Sequence, residues 1–469
     1  MLHEDLKRQT AFSGTSAFKY LKHLAETIGP RWTGSAKEHQ AARYIQSEFK
    51  KMGLAASLQE FPVRTFANKK FKFEAFDGKR WHTLNAQPVC MTASADKLEG
   101  EFYLLESMDP QAWSDDMRGQ IVLCTQRLNP GPRYQIIERY APKAWVTIEG
   151  GVNVEAVRYA IDATERDEWG DLPQVRLANL DAVDIVKNGW TQGRLTMHNE
   201  DSASVGYNVI GDLVGTEEPD DIVVVCAHYD SSFGISGASD NAAGTAVMME
   251  LARVLSQKPS RRTIRFIGFA AEETRLQGSK FYGWDLEQKA EKEKARKRFD
   301  AKYDRTELEK HVFSFNIDVQ GAVLGQHGFS YVGVDDIAAS VRVLALEAGT
   351  PASINKGSAP MDGTALAAVG IPALQFARGG GTGGYMHTSY DDIRYLSAAA
   401  LARAGRFVEL YLKRHFVQGI SLPFERTIPE DLVSSIAWAK RSVPDKKAKK
   451  TPKKTSKKSS KKTTTPKRR

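Results

Sequence analysis

Apolar positions recur at helical spacing near the start of the chain, at Phe18, Leu21, Leu24 and Ile28 and again at Ala42, Ile45, Phe49 and Met52. This spacing predicts helices within 16–54, separated by the Pro/Gly turn "IGPRWTGS". From about 89 to 194 the texture changes to short strand-like runs such as "EFYLL" and "GQIVLC", with a few short helical pieces and no cluster of His and acids. That texture predicts an inserted, non-catalytic module. From Tyr207 onward, strands alternate with helices, the signature of an α/β sheet. The expected organisation is therefore 1–85, a helical N-terminal part of the main domain; 86–205, the insert; 206–425, the main domain; and 440–469, a Lys-rich tail.

Four buried strands can be named in the main domain: "DIVVVCAHYD", "TIRFIGFAAEE", "VFSFNIDVQ" and "IPALQFA". The first three end in carboxylates or His, and the fourth runs into "RGGGTGGYMHTSYDD". Ligands of open α/β sheets bind beyond the carboxyl ends of strands, so the unusual polar residues converge on one sheet edge. Between the second and third strands, 284–311 is dense in both signs of charge and in helix formers. It reads as a solvated helix or helical pair carrying i,i+4 ion pairs.

At 469 residues, with 41% hydrophobic and 26% charged positions, the chain can bury a large core spread over two or three domains. Cys90, Cys124 and Cys226 are far apart and lack CxxC spacing, which predicts reduced core residues and excludes a thiolate metal site. No run approaches the ~20 apolar residues of a membrane span, and the start does not resemble a secretory signal, so a cytoplasmic location is expected. The net charge of +9 resides in the tail: 445–469 carries +12, leaving −3 for everything before it. Without an aliphatic or aromatic anchor, that tail is expected to be disordered. It is either a solubilising extension or a source of weak contact with nucleic acid or an anionic surface through counterion release.

The stretch "AHYDSSFGISGASDNAAGTA" holds one His and two Asp directly after an apolar strand and directly before a helical pattern. His228 and Asp230 alternate, so a strand running through both places them on one face. Asp240 precedes an amphipathic helix, where an Asp is most often a cap. Glu272 and Glu273 are adjacent near a strand end, Asp318 ends a third strand, and His387 follows the glycine-rich loop. Singly, each has an ordinary structural explanation. Together, so many carboxylates behind buried strands would be very costly without cations. Two divalent ions ~3.5–4 Å apart, sharing a bridging carboxylate, resolve the cost. Two His and three carboxylates suit zinc, and one acid remains as general base.

These residues carry a resemblance. His228-x-Asp230, Ser239-Asp240-Asn241-Ala242-Ala243-Gly244, Ala271-Glu272-Glu273, Asn316-Ile317-Asp318 and His387-Thr388, in this order, resemble the co-catalytic dizinc aminopeptidases related to glutamate carboxypeptidase II. The resemblance covers about 207–412 and extends to "LAETIGPRWTGSAKEHQAARYIQSEFKKMGL" near the start. It implies a mixed central sheet flanked by helices and two zinc ions. His228 and Asp318 would hold one ion, Glu273 and His387 the other, with Asp240 bridging. It further implies that Glu272 deprotonates the bridging water and later protonates the leaving amine, while Asp230 orients the imidazole of His228. Family members often carry Tyr immediately before the last His. Here that position is Met386, and Tyr385 becomes the candidate for stabilising the oxyanion.

The insert, through "DMRGQIVLC", "YAPKAWVTIEGG" and "LPQVRLANLDAVDIVKNG", is similar to a protease-associated domain, a small β-rich module. The implied activity is a zinc aminopeptidase acting on peptides. The alternatives are a carboxypeptidase, a dipeptidase, a glutaminyl cyclase on the same fold, or a non-catalytic binding protein on a peptidase scaffold.

Overall fold

In the computed structural model the described residues are 9–440, apart from 129, 152–154, 163–165, 168–169, 298–304 and 381–383. Almost all of the Lys-rich tail lies outside them. Helix α1 (Gly14–Lys22) starts where the Ser13 side chain accepts from Ser16 N at 3.2 Å, and α2 (Ala36–Lys51) where Ser35 accepts from Glu38 N at 3.2 Å. Both bury the apolar stripe that the spacing predicts, including Leu21, Ile45 and Phe49.

Beyond α2, the expected N-terminal helical part continues as β-strand rather than helix. Strand β1 (Ala55–Phe76) pairs along its whole length with β9 (Gln192–Leu213), antiparallel, with one register shift between Asn68 and Lys70. These 22-residue strands run through both halves of one continuous sheet, so β9 crosses the 205/206 boundary expected for the insert. Strands of the insert, β4 (Ala95–Leu105), β5 (Ile121–Cys124), β6 (Ala144–Ile148) and β8 (Gln174–Leu177), are parallel to one another and extend the sheet beyond β9, to which β4 pairs antiparallel. They enclose their own apolar core around Ile121, Val146, Val175 and Leu195.

The four strands named from sequence form the centre of the other half: β10 (Glu218–His228), β11 (Arg262–Phe269), β12 (His311–Ile317) and β15 (Ala373–Gly379). They lie in the order β15-β12-β10-β11 and are mutually parallel. Parallel strands are covered on both faces. One face packs against α1, α2, Gly244–Leu255 and Ala398–Leu412, the other against Gln277–Lys297 and Asp362–Ala367. Strand Gln326–Val332, antiparallel to β15, makes the sheet mixed, and Ala352–Lys356 pairs parallel to that strand at the edge. All three cysteines are free and buried, as expected. The charged helix Gln277–Lys297 carries the expected ion pairs, including Lys289–Asp285 at 3.0 Å. No helix among the described residues is long and apolar enough to cross a membrane.

One buried histidine of this half gives a pH prediction. His311 Nδ1 lies 2.7 Å from the Glu307 carbonyl, which can only accept, so Nδ1 carries the proton and Nε2 accepts from the Tyr282 hydroxyl at 2.7 Å. Burial, reinforced by Arg265, lowers its pKa from 6.5 to about 3. The unfolded chain protonates this imidazole below pH 6.5 and the folded chain does not, so its contribution is complete above 6.5 and is lost as pH falls toward 3. The linkage is worth about 2 kcal/mol between pH 7 and pH 5. Denaturant unfolding at both values should show this loss in the wild type, and His311→Asn should remove that share; an unchanged difference would contradict the assignment.

Candidate metal centre

Strand β10 ends at His228, so Asp230 lies just beyond the strand and not on it. The two side chains still meet, with His228 Nδ1 a long 3.4 Å from Asp230 Oδ1. Asp230 is fully buried and also accepts from the backbone N–H groups of Glu272 (3.1 Å) and Glu273 (3.3 Å). It therefore orients the acidic pair as well as facing the imidazole. Asp240 does not cap the following helix. Asn241 Oδ1 accepts from Gly244 N at 2.9 Å, and Asn241 Nδ2 donates to the Ile317 carbonyl at 2.9 Å. Asn241 takes the capping role, and the Asp240 carboxylate is left to face the site.

Two groups of potential ligand atoms result, each within 4.8 Å of one another: His228, Glu272 and Asp318; and Asp240, Glu273 and His387. Asp240 joins them. Its Oδ1 is 3.1 Å from His228 Nε2, and its Oδ2 is 2.9 Å from His387 Nε2. Asp318 Oδ1 lies 3.3 Å from His228 Nε2, and Glu273 Oε2 lies 3.4 Å from His387 Nε2. Tyr385 is half-buried, its ring stacked on Tyr395 with centroids 5.0 Å apart, so its described ring partner belongs to neither group.

The electrostatics are those of a site built for cations. Burial, with Asp318 and Asp362 adding to it, raises the Glu272 carboxyl well above the ordinary range. Burial and Asp240 push Glu273 up to about 7. Burial alone would lower both imidazoles, yet Asp318 and Glu272 hold His228 high, and Glu273 and Asp240 raise His387 to about 9. For Asp240 burial is outweighed by hydrogen bonds to both imidazoles, which keep its carboxyl low. Buried Glu273 Oε1, Asp318 Oδ1 and His228 Nδ1 have no hydrogen-bond partner. Carboxylate oxygens left bare in this way, beside the Nε2 atoms of His228 and His387, fit divalent ions that take mixed N and O ligands.

Backbone conformation is costly at the same place. Ala271 (φ +59°), Val319 (φ +45°) and His387 (φ +60°) are left-handed without being glycine, and each is or adjoins one of the six residues. Such conformations persist where surrounding structure enforces them, as at functional sites.

Sequence reasoning missed three contributors. Asp391 accepts from Ser239 N (2.7 Å) and Asp240 N (3.2 Å), holding the turn that presents Asp240. Asp362 is a buried acid raised to about 7 by burial and then by Asp318 and Asp230. Arg31, fully buried, donates to the carbonyls of Leu24, Gly29, Tyr229, Ser236 and Gly237, tying the loop after β10 to the N-terminal helices. The only local signal was the position of Asp391, four residues after His387.

Two histidines and four acids thus gather at the carboxyl edge of a parallel-stranded sheet in two adjoining groups able to hold metal, the arrangement of a metallohydrolase. The sequence model of peptidase family M28 matches residues 208–412, the stretch that carries all six of these residues. The chain is 26% identical over 418 residues to aminopeptidase YwaD of Bacillus subtilis, covering 86% of this chain and 85% of that protein. It is 38% identical over 87 residues to a probable zinc metalloprotease of Leptosphaeria maculans, a match spanning 17% of this chain and 20% of that one. The fold is shared with a peptidase M28 precursor from Shewanella amazonensis, at TM-score 0.73 and 18% identity, over 91% of this chain and 99% of the other.

Proposed function

We propose that this protein is a two-zinc aminopeptidase that removes N-terminal residues from peptides. The observation that carries the reading is Asp240, whose two carboxylate oxygens face His228 and His387 at 3.1 and 2.9 Å. In this reading His228 and Asp318 hold one ion, Glu273 and His387 the other, and Asp240 is shared. The aminopeptidase name of the relative that spans most of the chain supports the activity, and the zinc metalloprotease name of the second supports the metal.

When bound, the zinc pair supplies Lewis acidity toward water and the scissile carbonyl. The chain supplies proton transfer and position. Glu272 is the acid left over once the five ligands are assigned. One of its carboxylate oxygens takes a proton from the attacking water and delivers it to the leaving amine nitrogen. Asp230 fixes this carboxylate through the Glu272 and Glu273 amides and orients the His228 ring. Tyr385 remains the candidate for stabilising the oxyanion.

We read 86–205 as a protease-associated-like module beside the cleft. In support, Arg158 N donates to the His387 carbonyl at 2.8 Å, and the Glu155 carboxylate accepts from Ser389, two residues beyond His387. The module thus braces the loop that carries a proposed ligand.

A panel of aminoacyl-p-nitroanilides and their N-acetylated counterparts tests the activity. Hydrolysis confined to free amino termini is expected. Equal cleavage of the acetylated series, or cleavage of neither while C-terminally free peptides are trimmed, would contradict it.

A further inference from the structure

Apart from the metal centre, the protein has a cavity of about 820 Å³ between the start of the strand Gln326–Val332, the end of β15, the segment 348–353 and the helix Ala398–Leu412. None of the six metal-centre residues lines it. Its charged lining is of one sign: Arg378, Arg403 and Arg406 enter it, together with His327, and no carboxylate does so among the described residues.

The bases are held differently. Arg378, only 5% exposed, is fixed: its Nε donates to the Ala322 carbonyl at 2.7 Å, and one Nη lies 3.3 Å from His327 Nε2. Because a guanidinium can only donate, His327 Nε2 is the acceptor and its Nδ1 carries the proton. That Nδ1 is buried and has no partner, although His327 is itself only 5% exposed. Arg406 Nε is likewise buried without an acceptor. Arg403 and Arg406 form no ion pair among the described residues, and Arg403 is exposed at the rim.

Burial first, then Arg378 and Arg403, push His327 down to about 4, so it is neutral at physiological pH. Burial and then Arg403 also lower the pKa of Arg378. His327 Nδ1 and Arg406 Nε are therefore buried donors without an acceptor, set beside guanidinium groups of like charge. Phe407 and Leu410 add an apolar wall. The volume falls in the range of small-molecule sites, well above what an inorganic ion fills.

We propose that this cavity binds a small organic anion, with a phosphate or carboxylate head on Arg378, Arg403, Arg406 and His327 and an apolar body against Phe407 and Leu410. Guanidinium forks match the oxygens of both head groups, and charge-assisted bonds of this kind are the strong ones. A cation finds no charged acceptor there.

The test is calorimetric titration of the full-length, zinc-loaded protein with hexyl phosphate, hexanoate and hexyltrimethylammonium, repeated with an alkyl hydroxamate saturating the metal centre. At least one of the two anions should bind, the cation should not, and the hydroxamate should leave anion binding in place. The tighter of the two anions identifies the head group. Arg403→Gln should weaken the anion about 10-fold or more, and the double variant Arg403→Gln/Arg406→Gln should abolish binding. Turnover of an uncharged aminoacyl substrate should stay at the wild-type level in both, showing that they are folded. Binding of neither anion, equal binding to wild type and variants, or displacement by the hydroxamate would overturn the proposal.

Discussion

Replacing Glu272 by Gln is expected to lower kcat by about 10²–10⁴-fold, the range that a positioned general base contributes, while zinc content and KM stay near the wild-type values. The amide keeps the shape and the Asp230-held backbone amide of the original residue, but it cannot take a proton. Steady-state kinetics alongside metal analysis separates the base role from a ligand role. A ligand would lose zinc in proportion to activity, and residual activity within about 10-fold of the wild type would remove Glu272 from proton transfer. Because Glu272 shares a potential ligand group with His228 and Asp318, this distinction bears directly on the assignment.

Asp240→Ala is expected to have the larger effect on metal. Removing a partner that only orients a ligand costs 10–100-fold in affinity. Asp240 serves both imidazoles through separate oxygens, so its loss should weaken both sites by more than about 100-fold and abolish turnover. In the metal-free chain the same substitution also strips His228 and His387 of a buried anionic partner. Breaking a buried pair of this kind costs about 3–5 kcal/mol. Equilibrium dialysis against a zinc buffer, with thermal unfolding in chelator, reads the two effects separately. Retention of one tightly held zinc would show that Asp240 serves one ion alone.

The parallel strands at the centre of the sheet were legible because burial on both faces demands continuous apolar runs such as Ile222–Cys226, and such runs have few other readings. The same logic exposed the site: polar residues at the ends of these runs stand out against their surroundings. Strand β1 was not legible. Its burial alternates irregularly, with exposed Lys69 and Lys70 in mid-strand, and its partner β9 lies more than a hundred residues away in sequence. The residues that hold the site, Asp391 and Arg31, were hidden for a related reason. They act on backbone groups reached only through the fold, at Ser239 and Asp240 in one case and at Tyr229, Ser236 and Gly237 in the other. A capping expectation for Asp240 failed because the neighbouring Asn241 meets the Gly244 amide better from its own position. Local spacing could not decide between the two.

The central claim is a paired zinc site shared through Asp240. Its most direct test is to strip the full-length protein of metal and titrate zinc back, following hydrolysis of a free aminoacyl-p-nitroanilide together with the mass of the native protein. The reading predicts two bound ions per chain and activity that reaches its plateau at two equivalents. A plateau at one equivalent, or full activity in the metal-free protein, would contradict it.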